Sequence, residues 1–158
     1  MKAKLDGELV TVDGTELFET GWYGKKDSGK TVLSLIESCL LLERGRLDVE
    51  EHDFKSFFNY CSAKERDFVT KFLVYRDLRE RGLAVRMGFK DCDFRVYERG
   101  KQVLKWIVFV EGEDYPCKLD IFSRMNKLSK NIRAEALLAV VDNDTDVTFY
   151  KISELEKL

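Results

Sequence analysis

From Phe68 to Ile152 the hydrophobic period of the chain changes from helix to strand, back to helix, and back to strand. Phe68, Phe72, Tyr75 and Arg79 follow one another at three- and four-residue steps until Gly82 stops them. Strand-like stretches come next at 83–88, 93–97 and 106–110. A helical pattern then runs through Met125, Leu128 and Ile132. It is followed by the apolar run Ala136–Val141, the polar loop Asp142–Asp146 and the strand-like Val147–Ile152. In the first half, residues 8–12 alternate, Asp13-Gly14 signals a turn, and 15–19 are expected to return as a second strand. Thr31 to Arg44 reads as a helix with Leu33, Ile36 and Leu40 on one side and Gly45 as its stop. Leu47-Asp48-Val49 is a short extended step, and Asp53 caps a helix carrying Phe54, Phe57, Phe58 and Cys61. Ser62-Ala63-Lys64-Glu65 has the form of a capping box and is expected to open the next helix. The order predicts an α+β protein of two small domains, residues 1–62 and 63–158.

Composition narrows the function classes. The 158 residues are 44% apolar, enough for a core, and 35% charged, against roughly 25% in ordinary globular domains. One Gln and four Asn beside that charge agree with a heat-adapted source. The net charge is −2, which excludes attachment to nucleic acid by bulk charge alone but allows local basic patches. Residues 1–62 hold 8 basic and 12 acidic residues, whereas 63–158 hold 19 and 17. Within 118–133, Lys118, Arg124, Lys127, Lys130 and Arg133 face Asp120 alone. A solvated helix face and a phosphate-backbone contact both fit that run. The longest apolar run is far short of the ~20 residues that cross a bilayer. The opening MKAKLDGELV has no long apolar stretch, so a cytoplasmic protein without a secretory signal is expected. Cys39, Cys61, Cys92 and Cys117 lack close spacing and a partner histidine, so free thiols are expected, with no metal and no cofactor.

Residues 24–31, Gly-Lys-Lys-Asp-Ser-Gly-Lys-Thr, match the phosphate-loop pattern in full, and Leu137–Asp142 resembles the strand and aspartate that would hold Mg²⁺. A phosphate loop must leave a buried parallel strand that aims its amides at the nucleotide. Phe18-Glu19-Thr20-Gly21-Trp22-Tyr23 is no such strand. A flexible lysine-rich connection ahead of a helix is therefore expected at 24–31, with an ATPase as the competing reading.

Three blocks are more specific. They are Lys71-Phe-Leu-Val-Tyr-Arg-Asp-Leu-Arg-Glu-Arg-Gly82, Val85-Arg86-Met87-Gly88-Phe89-Lys90, and Asp93-Phe94-Arg95-Val96-Tyr97-Glu98-Arg99-Gly100. With Leu137-Leu-Ala-Val-Val-Asp142 and Asp146-Val147-Thr148-Phe149-Tyr150, they closely resemble the archaeal tRNA-splicing endonuclease family. Tyr23-Gly24, Leu33-Ser34-Leu35-Ile36-Glu37 and Gly45 through Val49 resemble its N-terminal domain. The resemblance spans essentially the whole chain. It implies a C-terminal domain built as a mixed sheet with flanking helices, similar to the catalytic domain of that family.

The family cuts precursor tRNA without a metal, leaving a 2′,3′-cyclic phosphate and a 5′-hydroxyl. The resemblance implies a tyrosine, a histidine and a lysine as the reacting groups. The tyrosine position falls on Tyr97. The histidine position, ahead of Trp106–Val110, falls on Val103, and the only histidine in the chain is His52. The lysine position, after Arg133, falls on Ala134. Two of three reacting groups are thus absent, which leaves Tyr97 as an aromatic strand residue whose unperturbed pKa of ~10 makes it a poor base. No catalytic residue is expected. What the resemblance implies instead is the non-catalytic, structural subunit of a hetero-oligomer, two plus two, acting with a catalytic chain of the same family on precursor tRNA and not at a membrane.

In that reading Asp142, Asp144 and Asp146 dock into a basic cleft of a partner, and Phe149 and Tyr150 lie on a strand that pairs with another subunit. A solvated turn and an internal strand are the alternatives. Lys127, Lys130 and Arg133 are the RNA-contact candidates. At Lys127 the family often carries an arginine, whose planar group lysine lacks. Competing functions are an RNA-binding or assembly protein outside the splicing complex, the phosphate-loop ATPase, and a nuclease with a rearranged site.

Overall fold

A computed structural model describes residues 1–98, 100, 102–114 and 120–152. Cys117 and Lys118 lie outside the described residues. The chain divides into two compact units, Met1–Phe72 and Leu73–Leu158.

The first unit opens with the strands β1 (Lys2–Asp6) and β2 (Leu9–Asp13), then the helix α1 (Glu16–Gly21), β3 (Lys25–Asp27) and β4 (Lys30–Ser34). The helix α2 (Leu35–Glu43), β5 (Asp48–Val49) and the helix α3 (Phe54–Lys64) follow. Its sheet runs β3-β4-β2-β1-β5, antiparallel except where β1 meets β5. Val10, Val12 and Leu33 point into the core with Leu17, Ile36, Leu40 and Phe57. Cys39 and Cys61 are buried free thiols, and a hydrogen bond with Cys61 together with burial pushes the Cys39 thiol above its ordinary pKa.

Several segments fold differently from what their local pattern predicts. Residues 15–19 are not a strand but lie in α1 or at its start. Leu17 and Phe18 stand side by side, breaking a two-residue period, and Glu16 and Glu19 lie in the first turn, where helix N-termini favour acids. Thr31 to Ser34 is a strand rather than the start of a helix, with Thr31 and Leu33 buried and Val32 turned the other way. The break comes at Ser34, whose side chain accepts from Glu37 N while Glu37 reaches back to Ser34 N. The capping box is therefore Ser34–Glu37. Ser62 sits inside α3, its hydroxyl donating to the Phe58 carbonyl at 2.9 Å, and opens nothing. Asp53 does cap α3, accepting from Ser56 N at 2.8 Å.

The helix α4 (Phe68–Glu80) begins in the first unit and continues into the second. The second unit adds β6 (Ala84–Met87), β7 (Phe94–Tyr97), β8 (Leu104–Gly112), the helix α5 (Asp120–Ile132), β9 (Glu135–Val141) and β10 (Val147–Ile152). Its sheet has the order β10-β9-β8-β7-β6, with β8 and β9 parallel and the other pairs antiparallel. The fold is the mixed α+β architecture expected. Ile107 and Phe109 of β8 and Ala136 and Leu138 of β9 pack with Ile121 and Met125 of α5. Phe94, in register with Val108, lies on the opposite face, 5.6 Å from the Tyr75 ring of α4. The two helices thus cover opposite faces of one sheet.

Candidate functional site

The phosphate-loop match folds as a hairpin. Lys25–Asp27 and Lys30–Ser34 pair as β3 and β4 around Ser28-Gly29. Lys30 lies on a strand beside Asp13, 3.4 Å away, and the Thr31 hydroxyl is buried, donating to the Gly14 carbonyl at 2.8 Å. Gly24 has φ +66, and a Cβ there would collide with the Val32 carbonyl oxygen. Its N–H donates to the buried Glu37 carboxylate at 2.8 Å. The glycine and the threonine of the motif serve the packing of this sheet, with no loop of amides left to cradle a phosphate. The segment is also not the flexible connection expected, because both of its sides are hydrogen-bonded strands.

In the second unit, register brings three positions to one end of the sheet. Tyr97 ends β7 and is paired with Leu104, so Val103 stands just ahead of β8 at that end. Trp106 is paired with Glu135 at the start of β9, so Ala134 stands there as well. A register shift between Val96 and Tyr97 brings Leu104, not Lys105, opposite the tyrosine. The Tyr97 hydroxyl accepts from Arg95, 3.4 Å away. Val103 is 68% exposed, while Ala134 is 8% exposed and packs with α5. Neither side chain carries a proton donor or a charge.

Two neighbours escaped the sequence reading. The Trp106 indole N–H donates to Glu135 at 3.0 Å, and Lys151 lies 3.2 Å from the same carboxylate. These bonds hold the Glu135 carboxyl below the usual 4.5. Parallel strands in that register place Trp106 beside Glu135, a relationship no spacing along the chain reveals. Arg95, by contrast, was legible as the residue two before Tyr97 on one strand, hence on the same face.

The RNA-contact candidates lie along α5 and its end. Lys127 and Lys130 are exposed, and Arg133 follows the helix with φ 53. Arg133 adjoins Ala134, and Lys127 lies about 9 Å back along the axis at 1.5 Å per residue. The partner-binding candidates are elsewhere. Asp142–Asp146 follows β9 at its far end, about 26 Å from Ala134 at 3.3 Å per residue. Asp144 and Asp146 are exposed and Asp142 is half-buried. The Asp142 Oδ1 accepts from Asp144 N and Asp146 N, both at 2.9 Å. Phe149 and Tyr150 lie on β10, the edge of the sheet among the described residues. Tyr150 is 52% exposed, whereas Phe149 is half-buried under the Arg81 guanidinium at 5.3 Å. The structure therefore separates a basic region near Tyr97 from an acidic loop at the other end. No helix among the described residues is long and apolar enough to cross a membrane.

Comparison with known proteins gives a consistent result. Residues 1–58 match the family described as tRNA intron endonuclease, N-terminal domain, and residues 68–149 match tRNA intron endonuclease, catalytic C-terminal domain. The chain is 35% identical to a tRNA-splicing endonuclease of Thermococcus kodakarensis over 142 residues, covering 86% of this chain and 84% of that protein. A tRNA-splicing endonuclease of Pyrococcus abyssi is 34% identical over 142 residues, covering 87% and 84%. The similar protein of Methanosarcina mazei is 35% identical over 163 residues, which is 96% of this chain but 46% of the relative. The chain spans about half the length of that relative and of its counterparts in Methanosarcina barkeri and Methanococcoides burtonii.

Proposed function

The chain belongs to the tRNA intron endonuclease family, and from that premise we propose that it is the non-catalytic, structural subunit of a heteromeric tRNA-splicing endonuclease. It assembles in the cytoplasm with a catalytic chain of the same family, two copies of each, and positions that chain on precursor tRNA. The observation that carries this reading is the content of the sheet end around Tyr97. Cleavage to a 2′,3′-cyclic phosphate needs a base at the 2′-hydroxyl, an acid for the leaving 5′-oxygen and a cation beside the phosphorane. Val103 and Ala134 offer none of these, while the strands that would present such groups are all in place.

What the chain keeps suits assembly. Asp144 and Asp146 project from a turn whose backbone is tied to Asp142, so two carboxylates are presented with little freedom to lose. Opposed charge on a partner cleft would speed encounter and select orientation. The β10 edge, with Tyr150 outward, offers backbone groups and an aromatic surface for a second strand. Lys127, Lys130 and Arg133 lead from that sheet end along α5 and face the RNA.

Metal-free cleavage of a bulge-containing precursor tRNA tests this, using the chain alone and mixed with a family member that carries the histidine and lysine. Cleavage only in the mixture is expected. Cleavage by this chain alone, abolished by Tyr97→Phe, would overturn the reading. So would a mixture in which the two chains never associate, which would favour an RNA-binding protein outside the splicing complex.

A further inference from the structure

The β6–β7 hairpin carries an exposed aromatic ring that neither the catalytic positions nor the acidic loop uses. Phe89 is 44% exposed. It sits in a tight loop fixed from within: Gly88 N donates to the Asp93 carbonyl at 2.8 Å, and Cys92 N to the Phe89 carbonyl at 3.3 Å. A Cβ at Gly88 would collide with the Cys92 carbonyl oxygen, so the loop can be this tight only with glycine there. The Arg95 guanidinium lies over the Phe89 ring, 4.7 Å from its centroid, and its Nε donates to the Met87 carbonyl at 2.8 Å. The guanidinium is thereby held as a plane behind the ring.

Charge on the hairpin has a second peculiarity. Arg86 and Arg95 are directly opposite in the antiparallel register, so the two side chains are neighbours on one face of the sheet. Arg86 and Arg95 are half-buried, and Lys90 adds an exposed cation in the loop. Arg95 is in register with Ile107, which packs under α5, so Arg86 and Arg95 share the sheet face that α5 covers further along. They therefore belong to the same side of the unit as the exposed Lys127 and Lys130.

We propose that Phe89, backed by Arg95 and flanked by Arg86 and Lys90, is a stacking site for an unpaired nucleotide of bound RNA. The ring takes the base and the cations take its phosphates. An aromatic ring polarised by a guanidinium offers a π-face to any base, so the contact holds a single-stranded segment without reading its sequence. This rests on the reading that the chain works on precursor tRNA, and adds a contact on the β6–β7 hairpin, away from α5.

The test titrates the full chain with labelled precursor tRNA and with a mixed-sequence single-stranded oligoribonucleotide, at several salt concentrations. Phe89→Ala and Phe89→Leu are expected to weaken both by about tenfold, and Phe89→Trp to retain binding, because stacking needs a π-face and not bulk. Arg86→Gln is expected to lower the slope of log K against log salt by about 0.7, the loss of one phosphate contact on a single strand. Thermal unfolding checks that each variant is folded, and Phe89→Leu stands in if the alanine variant is not. Unchanged RNA affinity in a folded Phe89→Leu variant would overturn the site, as would no RNA binding by the parent chain. Weakened association with a catalytic chain at unchanged RNA affinity would overturn it too, by making the hairpin a protein contact. Phe89-dependent RNA binding without cleavage in any mixture would instead retain the site and sink the splicing reading.

Discussion

Asp142 and Asp146 close their loop on each other twice. Asp142 N donates to the Asp146 carbonyl at 3.0 Å, and Asp146 N donates back to the Asp142 carboxylate at 2.9 Å. One aspartate of the acidic loop is thus spent on its shape, and the other two are free to project their carboxylates. That division predicts different consequences for residues of the same type. Asp142→Ala is expected to cost about 1 kcal/mol of stability through lost hydrogen bonds, and to disorder the loop. Asp144→Asn and Asp146→Asn are expected to stay within about 0.5 kcal/mol of the parent. Both should slow association with a catalytic chain and flatten its salt dependence. Thermal unfolding and association kinetics in parallel check this; a loss of stability at Asp144 as large as at Asp142 would contradict it.

The two positions beside Tyr97 differ in what they can accept. Val103 is 68% exposed, so Val103→His is expected to leave stability within about 0.5 kcal/mol. Ala134 is packed against α5 with only 8% exposed, and Ala134→Lys forces a long side chain into that contact. A loss of about 1–3 kcal/mol is expected in denaturant unfolding. Equal tolerance at the two sites would mean that α5 gives way more easily than its packing implies.

The phosphate-loop match makes a prediction through Glu37. Removing its carboxylate in Glu37→Ala strips an acceptor from the N–H groups of Gly24 and Ser34 and is expected to cost about 2–3 kcal/mol. Gly24→Ala adds a clash at positive φ and is expected to cost at least about 1 kcal/mol. Lys30→Ala, at an exposed ion pair, should stay within about 0.5 kcal/mol, and titration with ATP should give no heat for parent or variant. A binding isotherm lost in Lys30→Ala would restore the ATPase reading.

Glu135 offers a pH marker at the sheet end. Its folded pKa lies below its ordinary value because Trp106 and Lys151 favour the charged form. A depressed carboxylate contributes stability that is present above its unfolded pKa, 4.5, and lost as pH falls through the lower folded value. Trp106 fluorescence is therefore expected to change below pH 4.5, with Glu135→Gln removing that step and leaving the Trp22 signal. A step unchanged in the glutamine variant would assign it to another group.

Most of the second unit was legible in advance because its elements are bounded by strong local signals. Gly82 ends α4 at φ +80, Met125 and Leu128 face the sheet at helical spacing, and Ala136–Val141 is too short and apolar for anything but a buried strand. The first unit misled where one segment satisfied two periods at once. Val32, Leu33, Leu35 and Ile36 fit the end of a strand and the start of a helix equally, and only the reciprocal bonds of Ser34 and Glu37 choose the break. Ser62 and Glu65 have the same spacing and no such geometry, because the helix Phe54–Lys64 runs through Ser62 and ends just before Glu65. The opening strand Lys2–Asp6 was missed, since its Ala3 is the sole fully buried residue in a run of charges.

The chain by itself determined that Val103 and Ala134 carry neither a proton donor nor a charge and that His52 is its one histidine, facts of covalent structure that no folding can alter. It also determined the elements whose periods are unambiguous. Only the tertiary structure decided which residues meet. Parallel pairing of β8 with β9 sets Trp106 beside Glu135, and the register of β6 on β7 sets Arg86 against Arg95. The hairpin of β3 on β4 turned a nucleotide motif into ordinary sheet. Those outcomes depend on hydrogen-bond register between segments far apart or freely alignable in sequence. A shift of one residue exchanges the two faces of a strand, and only the packed sheet fixes that shift.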